Sequence, residues 1–505
     1  KKFLTNKREI SLHIEKTFFE RLYLKNTRFN ERWFCMPLFF KKFGVQTFLT
    51  LLSGALSAIA YPPFNQPYLI FFSLIPLFFL LDLTFPTSAK KHLFWHGFRL
   101  GYLFGVGFFL VNFKWLTTVA WFGWLSIAFY LALYPAIFGG ITIFWIKKIK
   151  LSGHFLPRFS KNLALMLFIS AVWVTTEWLR SWMLTGMGWN GLAVPLIEMP
   201  LLAQSAEFIG VYGLSFLPAF INVGLYITLR CIINEAKLGK IRAHPEFSIA
   251  MALLITTFAL GLLRTNELKA RDFTSLNTLA VQGNFSLEEF WDTNNGHQIL
   301  SRYEKLIHDA YDNYQETFDQ KVKELITTQT STKITTFFSP ELIIFPEDSV
   351  PFYHYQLGDE TFFGNNGDGW MSHVSERHQA PLLLGISRLA LEDTPQGLKH
   401  APHKGLWNDL LLYSAQDETD ISYRSKKHLV PFGEYIPLRK QLPFLEWIFK
   451  QSAGFAMNGD VLPGESSNPI LLKIKEKTIQ LTPLICFEDT TPHISRSYKK
   501  NHPND

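Results

Sequence analysis

Cysteine is scarce in this chain. There are three, Cys35, Cys231 and Cys486, an odd number at wide spacing, which excludes a disulfide framework. Cys35 precedes the first long apolar run and Cys231 ends the sixth, so both read as apolar filler. No Cys-x-x-Cys pair occurs. His92 and His96 share helical spacing, but a zinc site needs further ligands, so they read as membrane-boundary histidines and no metal or cofactor is expected. Ionisable residues are rare inside the apolar runs, which argues against a transport pathway. Residues 1–42 lack a small-residue cleavage site after an apolar core, so the start does not read as a cleaved signal peptide. The chain opens on Lys1 without an initiator Met, and both ends read as incomplete.

Net basic charge is also absent from most of the length. The net charge is +7, but residues 1–43 hold eleven Lys/Arg against four Glu, so the remainder sums to zero. A basic arm ahead of a first membrane span reads as a cytoplasmic anchor and argues against nucleic-acid binding.

What the chain has is long apolar runs. A helix crossing a bilayer needs about 20 mostly apolar residues, and seven runs qualify as candidates: 44–61, 67–83, 97–113, 122–146, 162–179, 203–230 and 247–264. Lys and Arg collect in alternate loops: Lys90 and Lys91; Lys147, Lys148, Lys150, Arg158 and Lys161; Arg230, Lys237, Lys240 and Arg242. The loops between carry almost none. The positive-inside rule puts the N-terminus and the basic loops in the cytoplasm, and seven spans then place everything after Arg264 on the outer side. Two outer stretches stand out, Tyr61-Pro-Pro-Phe and the Trp-rich segment 177–189. They read either as an interfacial aromatic belt or as a floor beneath an outer domain. Glu177 and Arg180, three apart, could pair on one helix face.

From Thr278 the periodicity changes. Strand-length apolar runs at 278–282, 341–346, 381–386, 408–413 and 479–487 alternate with helical stretches, notably 297–326, which predicts an α/β fold. Residues 327–340, rich in Thr and Ser, read as a loop. Three motifs lie in this half: Ile-Ile-Phe-Pro-Glu ending at Glu347, Lys-Lys-His-Leu-Val-Pro-Phe-Gly-Glu from Lys426 to Glu434, and Leu-Ile-Cys-Phe-Glu around Cys486. Taken singly, each has a bland reading: a core cysteine, a surface carboxylate, a solvated basic run. Together they supply a thiol, a base and a cation. A nearby Lys⁺ lowers a thiol pKa and a carboxylate accepts its proton. Cys486 would attack an acyl carbonyl, Glu347 would act as general base, Lys426 would stabilise the oxyanion, and the Phe487 N–H is a further candidate donor. The resulting thioester would pass its acyl group to water or to an amine.

At these residues the chain resembles the apolipoprotein N-acyltransferase family, a membrane branch of the nitrilase superfamily. The family's Glu-Lys-Cys triad corresponds to Glu347, Lys426 and Cys486, the spacing to Glu434 selecting Lys426 over Lys427. Its second glutamate corresponds to Glu434, the Glu after the cysteine to Glu488, its Val-Gln-Gly-Asn strand start to Val281–Asn284, the following Trp to Trp291, and its Tyr-Asn segment to Asn408, here preceded by Trp407. The resemblance runs from about Phe43 to Thr490 and includes Gly210-Val-Tyr-Gly-Leu-Ser-Phe. It implies a polytopic α-helical membrane domain (44–264), after the basic arm (1–43), followed by a nitrilase-like α-β-β-α sandwich (271–505) on the periplasmic side of the bacterial inner membrane. The implied activity moves an acyl chain from a phospholipid, usually phosphatidylethanolamine, through a cysteine thioester to the α-amine of the lipid-modified N-terminal cysteine of an apolipoprotein.

The chain departs from the family after Cys486. Only 19 residues follow, ending in a polar tail from Ser495, where the family continues through further strands and helices to a last membrane span. The sandwich is therefore expected to be incomplete and the chain as written to be unstable or inactive, although its residues encode an acyltransferase site; acyl transfer by the purified chain would overturn this. The alternatives are a membrane-tethered amidase using water and a non-catalytic remnant.

Overall fold

The computed structural model describes residues 35–501 apart from short internal segments, the longest being 84–91, 150–154, 328–339, 416–420 and 448–459. Most of the basic arm and nearly all of the Thr/Ser-rich stretch 327–340 lie outside the described residues.

The apolar runs form helices because in lipid each backbone N–H and C=O must be satisfied within its own segment. They are α1 (Cys35–Ser57), α2 (Ile75–Leu83), α3 (Leu93–Asn112), α4 (Trp121–Leu131), α5 (Leu133–Ile146), α6 (Phe155–Arg180), α7 (Ala206–Leu238) and α8 (Pro245–Lys269). Among the described residues, five stretches are long and apolar enough to cross a membrane: α3, α4 with α5, α6, α7 and α8. The first two expected spans are shorter apolar helices, Gly44–Ala60 and Pro67–Asp82. The second is broken by the turn Pro67–Phe71 before α2 begins. The chain is a multi-pass membrane protein.

Loops expected on one face do meet. The buried Tyr61 hydroxyl donates to the Gly191 carbonyl at 3.1 Å. On the other face Asp82 pairs with Lys147 and Arg230. Glu177 and Arg180 do not pair directly among the described ion pairs. Glu177 instead accepts the Trp173 indole N–H at 2.6 Å and the Leu192 N–H at 2.8 Å, while the Arg180 guanidinium lies 5.3 Å from the Phe109 ring centre.

After Lys269 comes a mixed eight-stranded sheet: β1 (Thr278–Ala280), β2 (Leu342–Ile344), β3 (His354–Leu357), β4 (Glu360–Phe363), β5 (Leu382–Thr394), β6 (Gly397–His400), β7 (Leu406–Tyr413) and β8 (Ser422–Ser425). β5 is its spine, pairing parallel with β2 and β3 and antiparallel with β6 and β7. β9 (Ile470–Ile474) and β10 (Lys477–Leu481) form a separate hairpin. Alternation along the strands divides the core. Ile343, Leu382, Leu384, Ile386, Leu411 and Tyr413 face the helices α9 (Gly296–Thr327) and α10 (Gly367–His378). Leu342, Leu383, Leu410 and Leu412 face the β9–β10 hairpin. The layers run helix, sheet, sheet, as in a nitrilase-like α/β domain. A short helix, α11 (Pro492–Asn501), follows.

The expected strand 479–487 is corrected. β10 stops at Leu481, and Thr482–Ile485 is not strand, since Pro483 offers no N–H to a ladder and the chain then turns.

Helix contact in the membrane half depends on small residues, as is usual where lipid removes the hydrophobic drive between helices. At Gly101 of α3 an added Cβ would overlap the Pro135 carbonyl of α5. Gly101→Val is expected to destabilise the protein by about 3 kcal/mol through overpacking, read as a lower melting temperature in detergent; an unchanged melting temperature would show that α3 and α5 do not pack this closely.

Candidate active site

Lys426 follows directly on β8. Its backbone N–H donates to the Asn408 carbonyl at 2.8 Å, extending the β7–β8 ladder by one bond. That position carries its side chain into the protein, where it is 1 % exposed. A buried ammonium must be paired, and two carboxylates converge on it: Glu347 Oε1 at 3.0 Å and Glu434 Oε1 at 2.9 Å. Asn408 Nδ2 donates to the same oxygens, at 2.6 Å to Glu347 and 3.1 Å to Glu434. Burial pulls the Lys426 ammonium down, but the facing carboxylates outweigh it, so its pKa is raised.

Glu347 is held by the absence of a side chain. It lies just beyond β2, and Gly385 of β5 passes so close that a Cβ there would stand 2.5 Å from the Glu347 Cα and 2.5 Å from the Asp348 N. The turn is locked by Gly385 N–H to the Pro346 carbonyl (3.1 Å) and Ser349 N–H to the Gly385 carbonyl (2.9 Å). Asp348 adopts φ +44° and accepts the Ser387 hydroxyl at 2.9 Å.

Cys486 opens the one-turn helix Cys486–Thr490 with φ +52°. A left-handed non-glycine residue costs on the order of 1 kcal/mol or more and marks a strained, over-determined position. Glu488 supplies the determination: its carboxylate accepts the N–H groups of Ile485 (2.9 Å), Lys427 (2.6 Å) and His428 (3.1 Å), bracing the cysteine turn against the lysine loop. Glu434 does the same within its loop, accepting the Val430 N–H at 2.8 Å.

The thiol does not behave as the motif alone suggested. Cys486 is exposed and Lys426 does pull its pKa down, but packing around the sulfur, the Glu347 charge and a hydrogen bond to Glu347 push it up to about 11. The Phe487 N–H hydrogen-bonds the sulfur and favours the thiolate. Cys486 therefore rests protonated, against its own base.

Glu347, Lys426, Cys486, Glu434, Asn408, Phe487 and Glu488 thus form one connected cluster. Trp291 lies outside the described residues. Val281 N–H donates to the Ile344 carbonyl at 2.9 Å, and Asn284 takes φ +51° beyond β1.

The turn also contacts the membrane half. Phe487, 2 % exposed, stands edge-on to Trp189 at 5.1 Å and stacked on His428 at 5.2 Å. It belongs to the same apolar core as the membrane helices. Trp189 is the member of the Trp-rich segment that packs against the turn bearing the cysteine, while Trp178 and Trp182 are exposed. Gly385, Ser387 and Asp348 carry no motif signal, because their importance lies in a close approach between strands distant in sequence.

The fold and this cluster define a class: a multi-pass membrane protein bearing a nitrilase-like α/β domain. A family model described as the apolipoprotein N-acyltransferase N-terminal domain matches residues 53–224. Proteins named apolipoprotein N-acyltransferase align along most of the chain. That of Geobacter metallireducens is 26% identical over 463 residues, covering 89% of this chain and 74% of the relative. That of Pasteurella multocida is 26% identical over 458 residues, covering 87% and 72%. That of Rickettsia prowazekii is 26% identical over 461 residues, covering 89% and 76%. The chain is thus similar to apolipoprotein N-acyltransferases along most of its length.

Because Glu347 raises the thiol pKa, Glu347→Gln is expected to make Cys486 react faster with iodoacetamide at pH 8, read by peptide mass spectrometry. Lys426→Met is expected to slow it. At a pKa of about 11 only about one thiol in a thousand is ionised at pH 8. Equal rates in all three proteins would separate the sulfur from both charges.

Proposed function

We propose that this chain transfers a fatty acyl group from a membrane phospholipid, phosphatidylethanolamine being the expected donor, through a thioester on Cys486 to the N-terminal α-amine of a diacylglyceryl-cysteine apolipoprotein. One observation carries the reading. A protonated thiol is hydrogen-bonded to Glu347, which is paired with a buried Lys426, and the thiol's turn rests on the membrane half through Phe487 and Trp189. Both substrates are lipid-anchored, and a thiol seated on a membrane floor meets them laterally. The names and alignments of the relatives support the same activity.

In the acylating half, the Cys486 sulfur attacks the ester carbonyl while its proton passes to Glu347. Lys426 and the Phe487 N–H face the developing oxyanion. The tetrahedral intermediate collapses, the ester C–O bond breaks, and Glu347 returns its proton to the departing alkoxide oxygen, which becomes the lysophospholipid hydroxyl. In the second half the acceptor amine attacks the thioester, Glu347 takes the amine proton, and the sulfur leaves and is reprotonated. An α-amine, with an ordinary pKa of about 7.7–8.0, is substantially neutral near pH 7.5, whereas a lysine side chain is not. This supports an N-terminal acceptor.

The domain reading goes with this function: a basic cytoplasmic arm over 1–43, a membrane domain over 44–264 and a periplasmic catalytic domain from 271. The basic loops on one face and the docking of Phe487 on the other support that orientation.

With labelled phospholipid and a diacylated lipopeptide, the acyl-transfer reading predicts an amide-linked third chain and, when acceptor is withheld, a labelled Cys486 thioester, and either product would overturn the expectation that the chain as written is inactive. Cys486→Ala should reduce transfer by about 10³-fold or more. Free fatty acid as the sole product would make the protein an amidase, and transfer by Cys486→Ala would refute the nucleophile. Transfer should rise with pH as the acceptor amine deprotonates. It should not fall before about pH 10, because the raised Lys426 pKa keeps the cation in place. An alkaline collapse near pH 8 would remove Lys426 from the proposed role.

A further inference from the structure

The spine strand β5 carries a second device, on the face turned away from the cysteine. Gly385 and Ser387 lie on the hairpin-facing side, where they hold Glu347 and Asp348. Arg388 points to the other side and is 6 % exposed. Its Nε donates to Asp409 Oδ2 at 2.6 Å, its Nη2 to the Ser425 hydroxyl at 3.0 Å, and its Nη1 to the Gln356 side-chain oxygen. The guanidinium also lies 3.9 Å from the Trp407 ring centre and 4.7 Å from that of Tyr423. These partners come from three other strands: Gln356 from β3, Trp407 and Asp409 from β7, Tyr423 and Ser425 from β8.

The sequence positions of the partners give the cluster its meaning. Asp409 adjoins Asn408, and Ser425 adjoins Lys426. Alternation along a strand puts Asn408 and Lys426 on the opposite face, among the residues around Glu347. We propose that Arg388 is a positioning residue for the proposed acyl-transfer site, clamping β5, β7 and β8 from behind so that Asn408 and Lys426 stay within hydrogen-bonding distance of Glu347. The inference rests on the reading of Glu347, Lys426 and Cys486 given above.

The residue type fits the task. A guanidinium offers five donors in a fixed planar fork and stacks on aromatic faces, so one side chain can satisfy three strands at once. A lysine at this position keeps the charge opposite Asp409, which is wholly buried, but cannot reach Asp409, Ser425 and Gln356 together. The strands would remain paired, while the relative placement of Asn408 and Lys426 would lose its brace. Misplacement of a catalytic group by about an ångström is enough to slow chemistry without abolishing binding.

The test uses the full chain with Arg388→Lys and, as the milder variant, Ser425→Ala, which keeps the Arg388–Asp409 ion pair and the Tyr423 contact and removes the hydrogen bonds of the Ser425 hydroxyl to Arg388 and Asp409. Both are measured for melting temperature, for kcat and KM with labelled phospholipid, and for the pH dependence of Cys486 alkylation. Arg388→Lys is expected to lower kcat by about tenfold with KM for the phospholipid unchanged. Since the clamp positions Asn408 and Lys426 while the Gly385 turn holds Glu347, and Lys426 lowers the thiol pKa, loosening the cluster should move the alkylation profile to higher pH, and Ser425→Ala should shift kcat and the profile in the same directions by less. A purely structural role would change melting temperature alone. Wild-type kcat and alkylation profile in a folded Arg388→Lys protein would overturn the proposal. If Arg388→Lys fails to fold, a Ser425→Ala protein identical to wild type in both readouts does so. A wild-type protein that forms no Cys486 thioester would sink the acyl-transfer reading instead, and the alkylation profiles would still decide the clamp.

Discussion

A buried ammonium between two carboxylates is the constraint from which the rest of this site follows. Removing Lys426 from water is costly, and the cost is offset only by placing acceptors against it. Glu347 and Glu434 come from segments 87 residues apart in sequence, so the pairing forces the end of β2 and the loop after β8 to one point. The surrounding struts hold that convergence. Asn408 bridges both carboxylates, Glu434 closes its own loop, and Glu488 links the lysine loop to the cysteine turn. Burial of the sulfur first, and then the charge and hydrogen bond of Glu347, push the neighbouring thiol up, so that it keeps its proton.

The same turn is where the two halves of the molecule meet. Phe487 follows the cysteine and packs into the membrane core beside Trp189, so the strained backbone at Cys486 is fixed from below by apolar contact and from the side by the Glu488 carboxylate. A soluble nitrilase-like domain would need to stabilise its cysteine turn by itself. Here the membrane half contributes to that stabilisation. Sequence, packing and chemistry are joined at this residue pair: an aromatic next to a thiol positions the thiol.

Much of this arrangement was legible before any coordinates. Apolar runs declared the membrane helices because lipid leaves the backbone few options, and strand-length runs with their punctuation gave β1, β2, β5, β7 and α9 to within a few residues, apart from the longer C-terminal reach of β5. The short strands β3, β4, β6 and β8 were not apparent. They are polar or exposed along much of their length, and their hydrogen-bond partners lie far away in sequence. The run at 479–487 misled because its hydrophobicity serves two purposes, a hairpin strand up to Leu481 and then core contacts made by the turn at Ile485 and Phe487. The net shift of the Cys486 thiol was not legible either. The motif places a cation near a thiol, but only the fold reveals the packing around the sulfur and its hydrogen bond to Glu347. Gly385 and Arg388 were invisible because a missing side chain and a buried fork act through geometry between strands, and neither leaves a local pattern.

The electrostatics of the cluster also make sense of a protonated resting thiol. In the proposed reaction, transfer of the proton from sulfur to Glu347 discharges the carboxylate as negative charge appears on the attacked carbonyl oxygen. The net charge of the site is unchanged through the step. What changes is where the negative charge lies: it leaves Glu347 and reappears on an oxyanion that Lys426 and the Phe487 N–H can face. Lys426, released from half of its ion pairing, then has field to offer at the moment the oxyanion needs it. A resting thiolate would have held that field in the ground state, where it slows rather than helps, since only interactions stronger in the transition state accelerate the reaction. The high thiol pKa, which looks unfavourable for a nucleophile, is the condition under which one lysine can neutralise the base before the reaction and the oxyanion during it.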